Sequence, residues 1–445
     1  MRFNYPTKKI LLASLALIIA VGLGLLIESE HPVWAGDPHR PAGDMTVFKR
    51  TFVAFETPAE GLTTAELDRH IETDPLFEKS HVPLDGHAGA GLGPLHNAKS
   101  CSSCHVLNGR GKPTAGQSLF RVAIKEGGGI EPVADIGFQL QDRAIFGHSP
   151  EATVKRTWIE EGGLRKLQTR ITRPDGTVLS AQTIARSLRI APPMIGMGLL
   201  EAIPEEDLLA NADPDDQDGD GISGRPVWTI DSDGERRIGR FGWKALAASV
   251  NQQSANAYLD DMGLTTATGP NSTLAVDGSP ADISWEELDG VTYYTQTLGA
   301  PATAETSDSP LMRQGSVLFD QLQCASCHVP SLRTGNNPHA VAKVINDQTI
   351  WPYTDLLLHD MGPGLDDGVA EKGLSLSSEW RTAPLWGLGM AQRVNRKASF
   401  LHDGRARTIE EAILWHGGEA ETAKQRYQEL SKPKKDQLLA WLKQL

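Results

Sequence analysis

Apolar positions along this chain fall into three kinds of pattern, and each predicts a different element. An apolar run from Ile10 to Ile27 follows Lys8 and Lys9 and leads to Val33-Trp34-Ala35 ahead of Gly36. A basic start, an apolar stretch and a small-residue cleavage site predict an export signal over residues 1–35. At eighteen residues the run is also long enough to stay in place as a membrane anchor. Helical spacing predicts three later elements. Arg313-Gln-Gly315-Ser-Val-Leu318-Phe319-Asp-Gln-Leu322 reads as an amphipathic helix. Ile409, Ala412, Ile413 and His416 stand at i, i+3, i+4 and i+7 behind a Thr408/Glu411 capping box. Leu438, Leu439, Leu442 and Leu445 share one face of a terminal helix. A strand pattern around an Asp-Gly turn, Trp228-Thr-Ile-Asp231-Ser-Asp-Gly234-Glu-Arg-Arg-Ile238, predicts a β-hairpin. The stretch 301–309 has linker composition and sets the expected boundary between domains at 36–300 and 301–445.

Composition narrows the partners. The chain carries a net charge of −13 over 445 residues. The leader holds Arg2, Lys8 and Lys9 against Glu28 and Glu30, so its removal leaves 410 residues at −14. An acidic surface argues against nucleic acid or anionic lipid and suits a small basic electron carrier, whose approach it would steer. The plainer account is that acidity keeps an exported protein soluble.

The chemistry lies in the cysteines. All four belong to two copies of one motif, Cys101-Ser-Ser-Cys104-His105 and Cys324-Ala-Ser-Cys327-His328. Cys-x-x-Cys-His is the attachment signature of c-type haem: two thiols form thioethers to the porphyrin and the adjacent imidazole ligates iron. A redox dithiol has no need of the trailing histidine, and a shared four-thiolate zinc would leave both histidines without a role. The expected cofactors are two covalently bound haem c groups, attached by Cys101, Cys104, His105 and Cys324, Cys327, His328, in the periplasm.

The two halves also repeat. Arg189-Ile-Ala-Pro192-Pro-Met-Ile-Gly196 follows the first motif and Arg381-Thr-Ala-Pro384-Leu-Trp-Gly387 the second; Arg240-Phe241-Gly242-Trp243 and Phe400-Leu-His402-Asp403-Gly404-Arg405 then each open a turn into a helix. This predicts duplicated haem domains that diverged, the first longer chiefly in 110–240. That extra length includes Asp213-Pro-Asp215-Asp216-Gln-Asp218-Gly-Asp220-Gly221. Its alternating carboxylates at Asp216, Asp218 and Asp220 suggest a partial calcium site or, equally, a solvated acidic turn. Val227 stands where an EF-hand needs its bidentate acid.

Several stretches resemble the dihaem cytochrome c peroxidase superfamily, and within it the dihaem oxidoreductases, also labelled thiol oxidoreductases. They are Gly91-Leu-Gly-Pro-Leu-His-Asn97, Asp355-Leu-Leu-Leu-His-Asp-Met-Gly362, Arg381-Thr-Ala-Pro-Leu-Trp-Gly387, and His402-Asp-Gly-Arg-Ala406 running on to Glu410-Glu-Ala-Ile-Leu-Trp-His-Gly-Gly-Glu419. The resemblance implies a mainly α fold of two cytochrome c-like haem domains, the first enlarged by loops and a β-hairpin. It implies that the helix after His402-Asp-Gly-Arg405 supplies the second axial ligand of the C-terminal haem, which falls on His416. The rival ligands are Met361, Met390, His359 and His402, and the alternative role for His416 is a buried imidazole bonded to a backbone carbonyl. His402 more naturally orients its loop or, with Arg405, bonds a propionate.

For the first haem the resemblance implies a Trp between the haems, relaying electrons from a low-spin C-terminal haem to the open N-terminal one, and a Gln and an acid lining a peroxide pocket. These fall on Trp243, on Gln252 or Gln253, and on Asp261 of Asp261-Met262-Gly263. Bland alternatives are a packed Trp and a helix C-terminal Asp. The family's capping histidine is replaced by Arg121, so the first iron is expected to be open unless His81, His87 or His96 substitutes. The implied activity is reduction of peroxide with electrons from a small donor protein of cytochrome c or cupredoxin type. Two other functions stay open: a dihaem electron carrier with no substrate site, and haem-dependent oxidation of a thiol or a partner protein.

Overall fold

The computed structural model of the chain describes residues 36–84, 91–126, 128–231, 233–337, 340–371 and 376–445. The expected signal and His87 lie outside the described residues. No described helix is long and apolar enough to cross a membrane.

The expectation of a mainly α fold is wrong: helix covers about 30% of the chain and strand 19%, spread over many small sheets. The helical signals are real but local to the two haem motifs and the segments that pack on them. In the first half, α1 (Thr64–Glu78) opens on a full capping box between Thr63 and Glu66. Between it and the next long helix lies a three-stranded antiparallel sheet of β1 (Ser118–Ile124), β2 (Gln139–Leu140) and β6 (Ile184–Ile190), in the order β2-β1-β6. A long hairpin, β3 (Thr153–Glu161) and β4 (Leu164–Thr172), extends to the short β5 (Val178–Leu179).

Strand alternation gives the first sheet two unlike faces. Phe120 pairs with Leu140 and Leu188, and these join Val122, Ala152 and Ile171 in a buried cluster beneath the hairpin. The opposite face carries Leu119 beside Arg189 and Arg121 beside Gln139. A segment expected to be loop is therefore a wall with an oily back and a polar front.

Two helices complete this half. α2 (Val250–Met262) is capped by Ser249, whose hydroxyl accepts from Gln252 N, and ends at left-handed Gly263. α3 (Trp285–Gln296) is capped by Ser284 and packs on α1 and α2. In the second half, α4 (Pro310–Gln321) starts with Ser309 as cap and Pro310 in its first turn. It leads into Cys324, and packs against α7 (Lys432–Leu442), with α5 (Ile409–Trp415) and α6 (Glu421–Glu429) beside them. Phe319, Tyr353, Tyr427 and Trp441 fill that core. Gly315 is required there: a Cβ would sit 2.1 Å from Trp441 Cγ.

The largest core draws on both sides of residue 300, joining Phe55, Ile195, Leu199 and Phe241 to Leu332, Ile345, Trp386 and Met390. Strand residues Thr46–Val47 also pair in parallel with Ala300–Pro301.

Candidate haem centres and the wall between them

Each Cys-x-x-Cys-His motif sits on a single tight turn. Cys101–Cys104 is a four-residue helix whose Ser100 and Ser103 cap each other, and Cys324–Ser326 is a 3-10 turn entered through left-handed Gln323. The four cysteines are unpaired. Burial pushes the Cys101, Cys104 and Cys324 thiols up to about 12, so they are held as thiols facing two cavities, of about 280 and 210 Å³.

The motif histidines are presented alike. His105 Nδ1 lies 2.8 Å from the Pro192 carbonyl and His328 Nδ1 lies 2.9 Å from the Tyr353 carbonyl. A carbonyl only accepts, so Nδ1 carries the proton and the Nε2 lone pair is left free to ligate iron. Burial lowers both imidazoles to about 4, which keeps them in the neutral form that a metal needs. Two thiols and an imidazole of fixed tautomer on each cavity wall are the donor set of c-type haem.

In the second cavity His416 faces the same space as His328, with Ile409, Ala412 and Ile413 from one side of α5. The helix stops at Trp415, so His416 is its C-cap rather than a helical residue. Its Nδ1 lies 2.7 Å from the Ala412 carbonyl, which again leaves Nε2 free, and burial lowers its pKa. Thr408 caps Glu411 N at 3.0 Å, while the Glu411 carboxylate reaches past it to Arg407 N at 2.7 Å.

His359 is fully engaged elsewhere, with Nε2 2.8 Å from Asp355 and Nδ1 2.7 Å from Glu419. Burial opposes its charge, but the Asp355 carboxylate outweighs that and raises its pKa, and with a carboxylate against each ring nitrogen it has no lone pair to offer. Met390 is buried in the main core and lines neither cavity, whereas Met361 lines the second. His402 stacks on Trp380 at 3.6 Å, and Arg405 pairs with Asp403 at 2.7 Å.

The first cavity has a different far wall. Along α2, Gln253, Ala257 and Asp261 recur every four residues and all line it. Gln252 does not: its amide accepts from Ala248 N at 2.8 Å and donates to Ile230 O at 2.7 Å. From the sheet, Gln139 Nε2 donates to Asp261 Oδ1 at 2.7 Å. Burial raises Asp261 to about 7, against the lowering effect of that hydrogen bond. Arg121 and Arg189 line the same cavity from the polar face of the sheet. His81 and His96 are buried but line neither cavity.

Trp243 lines both cavities, as do Arg110, Arg381, Ala383 and Pro384. Its indole Nε1 donates to Ile190 O at 2.8 Å, and Ile190 N donates to His402 O at 2.8 Å.

The duplicated turns share the same bridge, positive-φ positions and cap spacing. Phe241 bridges Ala247 and Phe400 bridges Ala406. Gly242 and Ala245 have positive φ in the first, as Leu401 and Gly404 have in the second. Each bridge is followed two residues on by the helix cap, Ser249 or Thr408. This register places Trp243 opposite His402, whose rings meet edge to face at 6.4 Å, and Ala257 opposite His416. A histidine that fills the second cavity corresponds to a methyl group in the first.

The acidic turn brings carboxylate oxygens of Asp213, Asp216 and Asp218 within 4.8 Å of one another. Asp220, expected in that group, instead accepts from Ile222 N at 2.8 Å.

Two buried Cys-x-x-Cys-His cavities that share one wall define the class: a dihaem redox protein. The chain belongs to the family described as "Di-haem oxidoreductase, putative peroxidase", whose model matches residues 37–131, 176–281 and 275–445. The interval between the first two matches holds Gln139 and the long hairpin. No curated protein sequence matches the chain. A structure of Kuenenia stuttgartiensis hydrazine synthase, pressurized with 20 bar xenon, is similar at 14% identity and a TM-score of 0.36, covering 88% of this chain and 94% of that one. That distant likeness assigns nothing here.

Proposed function

We propose that this dihaem oxidoreductase is a periplasmic peroxidase, with haem c tethered covalently at each cysteine pair. A small donor protein, of cytochrome c or cupredoxin type and basic enough to meet the −13 chain, would deliver electrons at the His328/His416 site. The single observation that carries this reading is the Ala257/His416 correspondence: the second cavity holds a further imidazole that would hold a bound haem together with His328, and the first has a methyl group at the matching place. When bound, the two haems supply one-electron redox chemistry, accepted at the His328 side and spent on the oxidant at the His105 side.

The remaining work falls to the chain. Reduction of hydrogen peroxide consumes two electrons and two protons and yields two waters, so one proton must move from the inner to the outer oxygen before the O–O bond opens. Asp261 performs this transfer. Gln139 occupies its Oδ1 and leaves Oδ2 to hold the proton, and a pKa of about 7 matches the task at neutral pH. Gln253, one turn before Ala257 on the same face of α2, positions the substrate. Trp243 lines both cavities, is fixed by its bond to Ile190, and would relay electrons between the two sites.

Rapid mixing of the reduced dihaem protein with hydrogen peroxide tests this. Reoxidation with water as product and multiple turnovers in the presence of a reduced donor is expected. Reduced protein that is inert to peroxide would reassign it as an electron carrier.

A further inference from the structure

The polar face of the sheet has charge that the proton-transfer role leaves unused. Arg121 and Arg189 line the first cavity next to Asp261 and Gln139. Both guanidiniums share one buried carboxylate, Glu371, which arrives from the distant 366–371 loop at 3.2 Å from each. Burial alone would neutralise Glu371, but the Arg189 and Arg121 charges outweigh it and keep it ionised. Arg121 has a second, longer contact of 3.6 Å to Asp260, a half-exposed carboxylate. The two guanidiniums thus share buried Glu371, with Asp260 beside Arg121 and Asp367 acting on Arg189.

Their hydrogen bonds are also incomplete. Arg121 Nε and Arg189 Nη2 are both sealed from solvent and have no partner among the described residues. Arg189 is 8% exposed. A buried guanidinium N–H without an acceptor costs about 1–3 kcal/mol, more for a charged donor, so an acceptor in the cavity would stabilise the arrangement. The forked planar geometry of arginine suits an oxyanion better than any neutral ligand.

Building on the peroxidase reading, we infer that Arg121 and Arg189 form a binding site for a small inorganic anion in the first cavity, opposite His105 and beside Asp261. The ligand class is a monovalent anion of two or three heavy atoms or fewer: hydroperoxide as substrate, with fluoride, azide or nitrite as mimics. Strand pairing fixes the site. Arg121 is opposite Gln139 on one side and Ser187 on the other, and Leu119 is opposite Arg189, so both guanidiniums leave the sheet on the cavity face. Glu371 positions them without entering the cavity. A haem propionate offers the same carboxylate chemistry, and the experiment separates the two sources.

The test uses resting ferric holoprotein, titrated with fluoride and azide and, separately, with neutral imidazole, each followed by its optical shift. In Arg121→Gln, anion Kd values rise about ten-fold, the scale of one lost charge-assisted hydrogen bond, while the imidazole Kd is unchanged. Arg121→Lys keeps the charge and recovers part of the anion affinity. Glu371→Gln, which removes the counter-charge, shifts anion affinity the opposite way, toward tighter binding; a merely structural role would not give opposite signs. Anion Kd values that do not respond to Arg121→Gln, or that move together with imidazole, overturn the site and assign the guanidiniums to a propionate. If neither anions nor imidazole bind the wild type, the open-cavity reading fails first and this inference falls with it.

Discussion

The two haem cavities begin alike and end differently. In each, a Cys-x-x-Cys-His turn places two thiols and a carbonyl-anchored imidazole on one wall. In the second, the facing wall is the apolar side of α5 with His416 at its end. In the first, it is α2 with a methyl group at the matching place, backed by a polar sheet face bearing Arg121, Gln139 and Arg189. The attachment motif therefore specifies what is bound, and the opposite wall specifies what the bound group is able to do. The two halves thus differ by one imidazole, present in the second cavity, and one sheet, present at the first.

The sharpest way to break this contrast is to restore the symmetry. Ala257→His places an imidazole where the second cavity has His416; peroxide reduction should be abolished, with both ferric centres low-spin in the optical spectrum. Asp261→Asn leaves the cavity open but removes the proton carrier, and should lower kcat for peroxide by about 10²–10⁴-fold at unchanged haem content. In the wild type, the carboxylate must be ionised to accept a proton, so kcat/KM should rise with pH along a limb near 7. That limb should be missing from the Asn variant.

On the wall of the second cavity, the His359 ring is clasped between Asp355 and Glu419. Glu419→Gln removes one partner of a buried charge and should cost about 3–5 kcal/mol, read as a lowered Tm without loss of haem. The pH dependence has a definite sign. Burial opposes its charge, but hydrogen bonds from His359 and Ser223 and the His359 charge hold Glu419 down to about 2. Its contribution is therefore complete above an ordinary carboxylate pKa and is lost as pH falls toward 2. His359, raised, contributes fully below its ordinary value and loses that contribution only as pH rises through the elevated one. The Tm difference between wild type and Glu419→Gln should accordingly narrow in acid. The smallest effect is expected at Thr408→Ala, which removes the cap of α5 and should cost about 1 kcal/mol while leaving His416 in place.

What the sequence disclosed is what local rules govern. The cysteine motifs, the Thr408 cap, the α5 face ending in His416, and the Asp261-Met262-Gly263 helix end all depend on neighbours within a few turns. The repeat was visible as aromatic-led turns, and its backbone proved to be duplicated down to the positive φ values. The sheet was not legible, because β1 pairs with a strand some sixty residues away and its alternation is only seven residues long. With it went the placing of Gln139 and Arg189 on the first cavity, and of Glu371, which pairs with Arg121 and Arg189 from a loop of the other half. Between Gln252 and Gln253, helical phase decides which faces the cavity: counting back from Asp261 in steps of four gives Ala257 and then Gln253. The excess of helix in the expected fold came from reading the haem halves and treating residues 110–240 as loop.

The account depends most directly on one iron having a vacant face and the other having none. Low-temperature electron paramagnetic resonance of the resting ferric holoprotein tests this. One high-spin signal together with one low-spin bis-imidazole signal is predicted, with the low-spin signal alone altered in His416→Ala. Two low-spin signals in the wild type would contradict it.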